Sequence, residues 1–158
     1  MAEKKAAEEK QQPQFMIQKI YTKDISFETP SSPEVFREEW KPELDLQLTN
    51  EYKQLDDNNH DVTLVATVTA KLGDKTAFLI EVKQSGIFSL IGYNNEEIAP
   101  LIGNHCPTIL FPYIREVISD IVLKGGFPQL VLAPVNFDAL YMNQVEQAKQ
   151  AAAKESTH

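Results

Sequence analysis

"DVTLVATVTAKLGDKTAFLIEVKQ", residues 61–84, decides the fold. Val62, Leu64, Ala66, Val68 and Ala70 occupy every second position, with threonines between several of them. Side chains of a strand alternate between two faces, so this spacing predicts a strand from Asp61 to Lys71 with one apolar face. Leu72-Gly73-Asp74-Lys75 reads as a tight hairpin turn. The chain then returns from Thr76 to about Gln84. Phe78, Ile80 and Val82 share one face of that strand, and Ala77, Leu79, Glu81 and Lys83 share the other. A connection this short makes the two strands antiparallel neighbours.

Two more strands lie upstream. Phe15 to Phe27 is expected to form the first, with Asp24, Ser26 and Glu28 on the face opposite Tyr21, Ile25 and Phe27. Leu44-Asp45-Leu46-Gln47-Leu48 alternates cleanly and makes the second. Between them come Pro30 and Pro33, then Phe36 and Trp40 without a core pattern.

Helices follow downstream. In "CPTILFPYIREVISDIVLKGG", residues 106–126, apolar residues fall at Ile109, Leu110, Tyr113, Ile114, Val117, Ile118, Ile121 and Val122. Steps of one, three and four make one wide stripe, with Arg115, Glu116, Ser119 and Asp120 opposite. Gly125-Gly126 is a left-handed helix stop. Pro112 either starts the regular helix or kinks it. A second helix is expected from Asn136, a fitting N-cap, with Phe137, Leu140, Tyr141 and Val145 inward. Strands followed by helices give an α+β fold: a four-stranded antiparallel sheet with a long helix and a C-terminal helix packed on one face. Residues 14–145 form one domain. Residues 1–13 read as a disordered tail. Residues 146–158 read as a flexible tail that prolongs the last helix by a turn or two.

The charge balance limits partners. The 158 residues carry a formal net charge of -8, so the chain gains nothing from nucleic acid phosphates or anionic lipid. Its charged partners should be basic, at least in part. One cysteine, Cys106, permits no internal disulfide, which suits a reducing compartment. The first residues lack the apolar stretch of a secretory signal, and no apolar run approaches the roughly 20 residues of a membrane span. A cytoplasmic protein without membrane insertion is expected.

Catalytic signals are nearly absent. There is no GxxxxGK[ST], GxGxxG or CxxC pattern. His60, His105 and His158 are scattered. His105-Cys106 is the only nucleophile-like pairing, and adjacent residues rarely aim at each other. A buried thiol near a helix start is the plainer reading. Neither an enzyme, a cofactor nor a metal site is expected. Trp40, next to Pro42 but one, is either a core anchor or the wall of a groove. On the face away from the helices, Asp24, Glu28 and Glu81 surround the apolar Leu79. That patch is either an ordinary solvated face or a docking surface for a basic partner. The wide helical stripe needs cover from a second subunit or from the second helix.

Four blocks, "IQKIYTKDISFETP", "GIFS", "CPTILFPYIREVISDIVLKGGFPQL" and "LAPVNFDALYMNQ", together resemble the SecB family of bacterial export chaperones. The resemblance runs in order from about Phe15 to Gln144. It implies a homotetramer, a dimer of dimers with helices sandwiched between two sheets. It implies an ATP-independent holdase that keeps unfolded precursors translocation-competent and delivers them to SecA, the motor ATPase. The family's SecA-docking positions match Asp24, Glu28, Leu79 and Glu81. Aromatics in irregular segments suit clients without sequence readout, so Phe27, Phe36, Trp40, Leu44 and Leu46 are expected to line a client groove. Ile80, Val82, Ile114, Val117, Ile118 and Ile121 are expected at the oligomer interface. Alternatives are a related holdase that controls an antitoxin, and an enzyme built on His105-Cys106.

Overall fold

The computed structural model describes residues 12–156. Four strands, β1 (Gln14–Glu28), β2 (Glu43–Gln54), β3 (Asn59–Leu72) and β4 (Lys75–Ile91), are followed by helices α1 (Asn95–Pro100), α2 (Cys106–Lys124) and α3 (Phe137–Glu155). A π-helical turn, Leu101–His105, joins α1 to α2. The sheet is antiparallel in the order β1-β4-β3-β2, so β1 and β2 are its edges. Gly73 turns between β3 and β4 at φ 58°, a value that favours glycine.

The core lies between the even-numbered side chains of β3 and β4 and one face of α2. Val62, Leu64, Ala66, Val68, Phe78, Ile80, Val82 and Phe88 are buried against Leu110, Ile114, Ile118 and Val122. The long helix therefore runs from Cys106 straight through Pro112. The missing N–H of Pro112 falls on the exposed side, where water can serve the orphaned carbonyl. Leu110, Ile114, Ile118 and Val122 form an i, i+4 row and take the buried centre of the stripe. Ile109, Val117 and Ile121 are half-buried at its edges, and Tyr113 stands exposed.

Both strand ends and helix ends extend past the alternating segments. β2 continues to Gln54 and β4 to Ile91. The helix after the N-cap Asn136, whose side chain accepts from the Ala139 amide, runs to Glu155. That is longer than a turn or two beyond residue 145, and residues 146–155 are helical. The expected N-terminal tail, up to residue 11, lies outside the described residues. α3 packs at the start of α2, through Phe137 on Phe111 and through Tyr141 on Gly103. It does not run along the exposed side of α2 at Tyr113 and Leu123, both about half open to solvent.

Four of the expected interface residues take a place inside the core of the single chain. Ile80, Val82, Ile114 and Ile118 are completely buried within this single chain. Their side chains hold the helix on the sheet and offer no surface to a second subunit. Val117 and Ile121 keep partial exposure.

Candidate functional site: two faces of one sheet

β1 carries two bulges, one between Ile17 and Lys19 and one between Thr22 and Asp24. Each adds a residue and shifts the alternation by one. The helix-facing row of β1 is therefore Phe15, Ile17, Ile20, Thr22, Ile25 and Phe27. Tyr21 belongs to the outer face with Asp24, not to the inner face with Ile25. Its hydroxyl donates to Asp61 Oδ1 at 2.7 Å on that outer face. Burial, and then this hydrogen bond, push the Tyr21 phenol above its usual range.

On the inner face, five aromatic rings meet at one end of the sheet. Phe27 ends the inner row of β1 and lies 6.1 Å from Phe78. The loop after β1 folds back on the buried Val35. It passes through a short 3-10 turn, Glu34–Arg37. Phe36 is thereby set 5.0 Å from Phe127, and Trp40 5.3 Å from Phe127 and 6.3 Å from Phe78. These are ordinary aromatic packing distances. Phe78 and Phe127 are buried floor, Trp40 and Phe27 are half-buried walls, and Phe36 is 49% exposed. Trp40 thus anchors the loop on two buried rings and keeps part of its own surface open.

The glycines after α2 make room for this cluster. A Cβ on Gly125 would run into the Phe27 ring. Gly126 takes the left-handed stop at φ 89° and lies beneath Phe36. The helix stop is therefore at Gly126, while Gly125 keeps right-handed geometry.

Leu44 and Leu46 extend the apolar strip onto the edge strand. The register aligns Leu44 with Ala70 and Phe78, and Leu46 with Val68, Ile80 and Phe27. α2 packs over β4 and β3, which leaves these two leucines 50% and 37% exposed. The five expected groove residues therefore share the helix side of the sheet. Phe78 and Phe127 complete the aromatic cluster and were not anticipated. Phe78 alternates like any core residue, and Phe127 sits beyond two glycines in a segment without periodicity.

The outer face brings the four expected docking residues together. Glu28 is directly opposite Leu79, Ser26 opposite Glu81, and Asp24 opposite Lys83. Across β3 the same rows continue through Thr69, Thr67 and Val65. Thr67 Oγ1 donates to Glu81 Oε2 at 3.2 Å, and Lys83 Nζ lies 3.2 Å from Glu51 Oε1 on β2. Asp24 and Glu28 are exposed, and Leu79 and Glu81 half-buried. The result is an apolar spot with Glu28 across from it on β1, Glu81 beside it on β4, and Asp24 further along β1, each carboxylate able to accept from a basic group.

His105 and Cys106 do not form a catalytic pair. The His105 ring packs edge-on against Phe15 at 4.8 Å. Cys106 is fully buried, and burial pushes its thiol up to about 12. A thiol with that value is almost wholly protonated near neutral pH, and the thiolate is the nucleophile. Among the described residues no group of His, Cys, Asp and Glu is placed to hold a metal ion. Nor is any described helix long and apolar enough to cross a membrane.

The family model for preprotein translocase subunit SecB matches residues 8–148. The chain belongs to the SecB family. It is 58% identical over 154 residues to the protein-export protein SecB of Nitrosococcus oceani, covering 96% of this chain and 94% of that one. The protein-export protein SecB of Methylococcus capsulatus is 52% identical over 154 residues, covering 96% and 99%. Among solved structures, a SecB-like chaperone of Mycobacterium tuberculosis in complex with a ChAD peptide from an antitoxin superposes with a TM-score of 0.65. It is 16% identical and covers 77% of this chain and 90% of that one. That likeness supports the SecB architecture of sheet and helices. Within this fold, the aromatic cluster lies on the helix side of the sheet and the acidic patch on its other side.

Proposed function

We propose that the protein is an ATP-independent holdase of protein export, which binds unfolded precursors in the aromatic groove and passes them to SecA at the acidic face. The observation that carries this reading is the placement of both surfaces on one strand. Phe27 and Glu28 are consecutive, and the alternation of β1 sends one into the groove and the other to the outer face. A client and a basic partner therefore need not compete for the same surface. The SecB family and its protein-export members support the export role.

The groove suits non-native chains. Its rings provide large contact areas with few rotors to freeze, and they read no sequence. The free edge of β2 adds backbone groups that an extended segment can pair with. Each such site is weak. A tetramer would present several, and a long client that reaches more than one gains avidity. A folded protein hides its apolar segments and is passed over. The cytoplasm, where precursors await export, is the compartment this role requires.

The test separates the two faces. Asp24→Lys with Glu81→Lys should weaken SecA binding by at least about tenfold, since like charges replace complementary ones. Affinity for a chemically unfolded precursor should stay within about twofold. Added salt should slow SecA association to the wild type and leave client affinity nearly unchanged. Loss of both activities together, with the fold intact by circular dichroism, would refute the two-surface reading.

A further inference from the structure

The register places a lysine inside the acidic patch. Lys83 is directly opposite Asp24 on the outer face, where facing side chains start with Cβ atoms about 5 Å apart. An ammonium there would naturally pair with Asp24. Instead, Lys83 reaches the other way. Its Nζ is 3.2 Å from Glu51 Oε1 on β2, two strands from β4 and three from Asp24's β1.

The route explains the choice. Lys83 is opposite Val65 on β3, and Val65 is buried. Glu51 is opposite Thr63, two residues from Val65 along β3. The lysine stem therefore crosses β3 beside Val65, and its head ends on the Glu51 carboxylate. Its side chain is 29% exposed, less than the 49% of Glu51. Asp24 has no ion pair among the described residues.

We propose that Glu51 is a positioning residue for docking: it holds the Lys83 ammonium toward β2 and so leaves the Asp24 carboxylate free for a basic segment of SecA. The inference rests on the acidic face being the SecA surface. Without Glu51, the nearest facing acid for Lys83 is Asp24, and an internal pair would compete with the partner. Glu51 acts through Lys83 and need not touch SecA.

The experiment is SecA affinity for the full chain at low ionic strength, with Glu51→Gln, Lys83→Gln, the double variant, Asp24→Asn and Glu146→Gln. Glu51→Gln should weaken binding about two- to fivefold, the range that one exposed ion pair can shift an affinity. Lys83→Gln should bind as well as the wild type or better. In the Lys83→Gln background, Glu51→Gln should have no further effect, a rescue that a merely structural role would not show. Glu146→Gln, which makes the same charge change on α3, should be neutral. The proposal is overturned if Glu51→Gln weakens binding equally in both backgrounds, because Glu51 then contacts SecA directly. It is also overturned if Glu146→Gln costs as much, or if Glu51→Gln is silent while Asp24→Asn weakens binding. Asp24→Asn binding like the wild type would instead remove the acidic docking face itself.

Discussion

On the proposed reading, Trp40 and Phe36 should separate stability from client holding. Trp40 packs on two buried rings, Phe78 and Phe127. Its truncation opens a gap over the core and should cost about 2 kcal/mol or more in urea unfolding, as well as client affinity. Phe36 touches Phe127 but is half open to solvent. Phe36→Ala should lower affinity for an unfolded precursor by about three- to tenfold while stability changes by less than about 1 kcal/mol. Fluorescence titration against a reduced, unfolded precursor, paired with urea melts, reads both. Unchanged affinity in Phe36→Ala would take that ring out of the groove. Spacing marked Phe36 and Trp40 because they break the core pattern, and Phe27 because it ends the apolar row of the first strand just before the prolines. The same logic concealed Phe78, whose place in a clean alternation gives no sign that rings gather on it.

At the scale of elements, the bulges of β1 decide which residues share the outer face. The sequence gives the alternation from Asp24 to Glu28 correctly, because the second bulge lies just before it. It misplaces Tyr21, because an inserted residue leaves no signature in apolar spacing. Lys23 is the extra residue of that bulge. Its deletion joins Thr22, which faces inward, directly to Asp24, which faces outward, so every flanking side chain keeps its face. The Lys23 deletion should therefore fold, with a melting temperature lowered by a few degrees, and still bind SecA. Deleting Ser26 instead should turn Phe27 and Glu28 to the wrong faces and abolish both activities. Strand lengths were legible only where apolar residues alternate. The polar end of β2, Thr49 to Gln54, is held by pairing with β3 rather than by burial.

The β2–β3 hairpin adds a pH dependence. His60 is buried, and Tyr52 Oη lies 2.6 Å from its Nδ1. Burial holds the imidazole below its ordinary 6.5, against a smaller opposing pull from Asp56. The folded state thus takes up the proton later than the unfolded state does. Above about pH 6.5 both states are neutral and His60 has no effect on stability. As pH falls below that value, the unfolded chain binds the proton first and stability declines, by at most about 1.4 kcal/mol per pH unit. Urea midpoints at pH 7, 6 and 5.5 should fall in the wild type and fall less in His60→Phe. Parallel slopes would exclude His60 as the cause. Asp56 acts in a separate, more acidic window. Hydrogen bonds from Asn59 and from the Asn58 and Asn59 amides hold its carboxylate below the usual range, so its contribution is lost only as pH drops through that lower value.

For the whole molecule, the sheet is one layer with different business on each side. Its helix side is closed by α2 in the middle and left open along β2, and its outer side is polar with an acidic end. The sealed core residues Ile80, Val82, Ile114 and Ile118 show that a single chain already covers the centre of its helix. Of the expected interface set, Val117 and Ile121 keep partial exposure, and the exposed Tyr113 and Leu123 join them as candidates for subunit contact on α2. Native mass measurement should give a four-chain species, and Tyr113→Glu with Leu123→Glu should shift it to smaller ones. A four-chain species in that variant would place the contact elsewhere.

Because Phe27 and Glu28 share a peptide bond, a client and SecA bound at the two proposed surfaces would also be joined in a thermodynamic cycle. On the proposed reading, a tilt at the end of β1 imposed by a client in the groove would be felt at the outer face. Whatever factor the client puts on SecA affinity, SecA must return to the client in equal measure. A motor that binds tighter to the loaded chaperone would, by that equality, also make the client harder to let go. Release must then draw on something outside the equilibrium between these two faces.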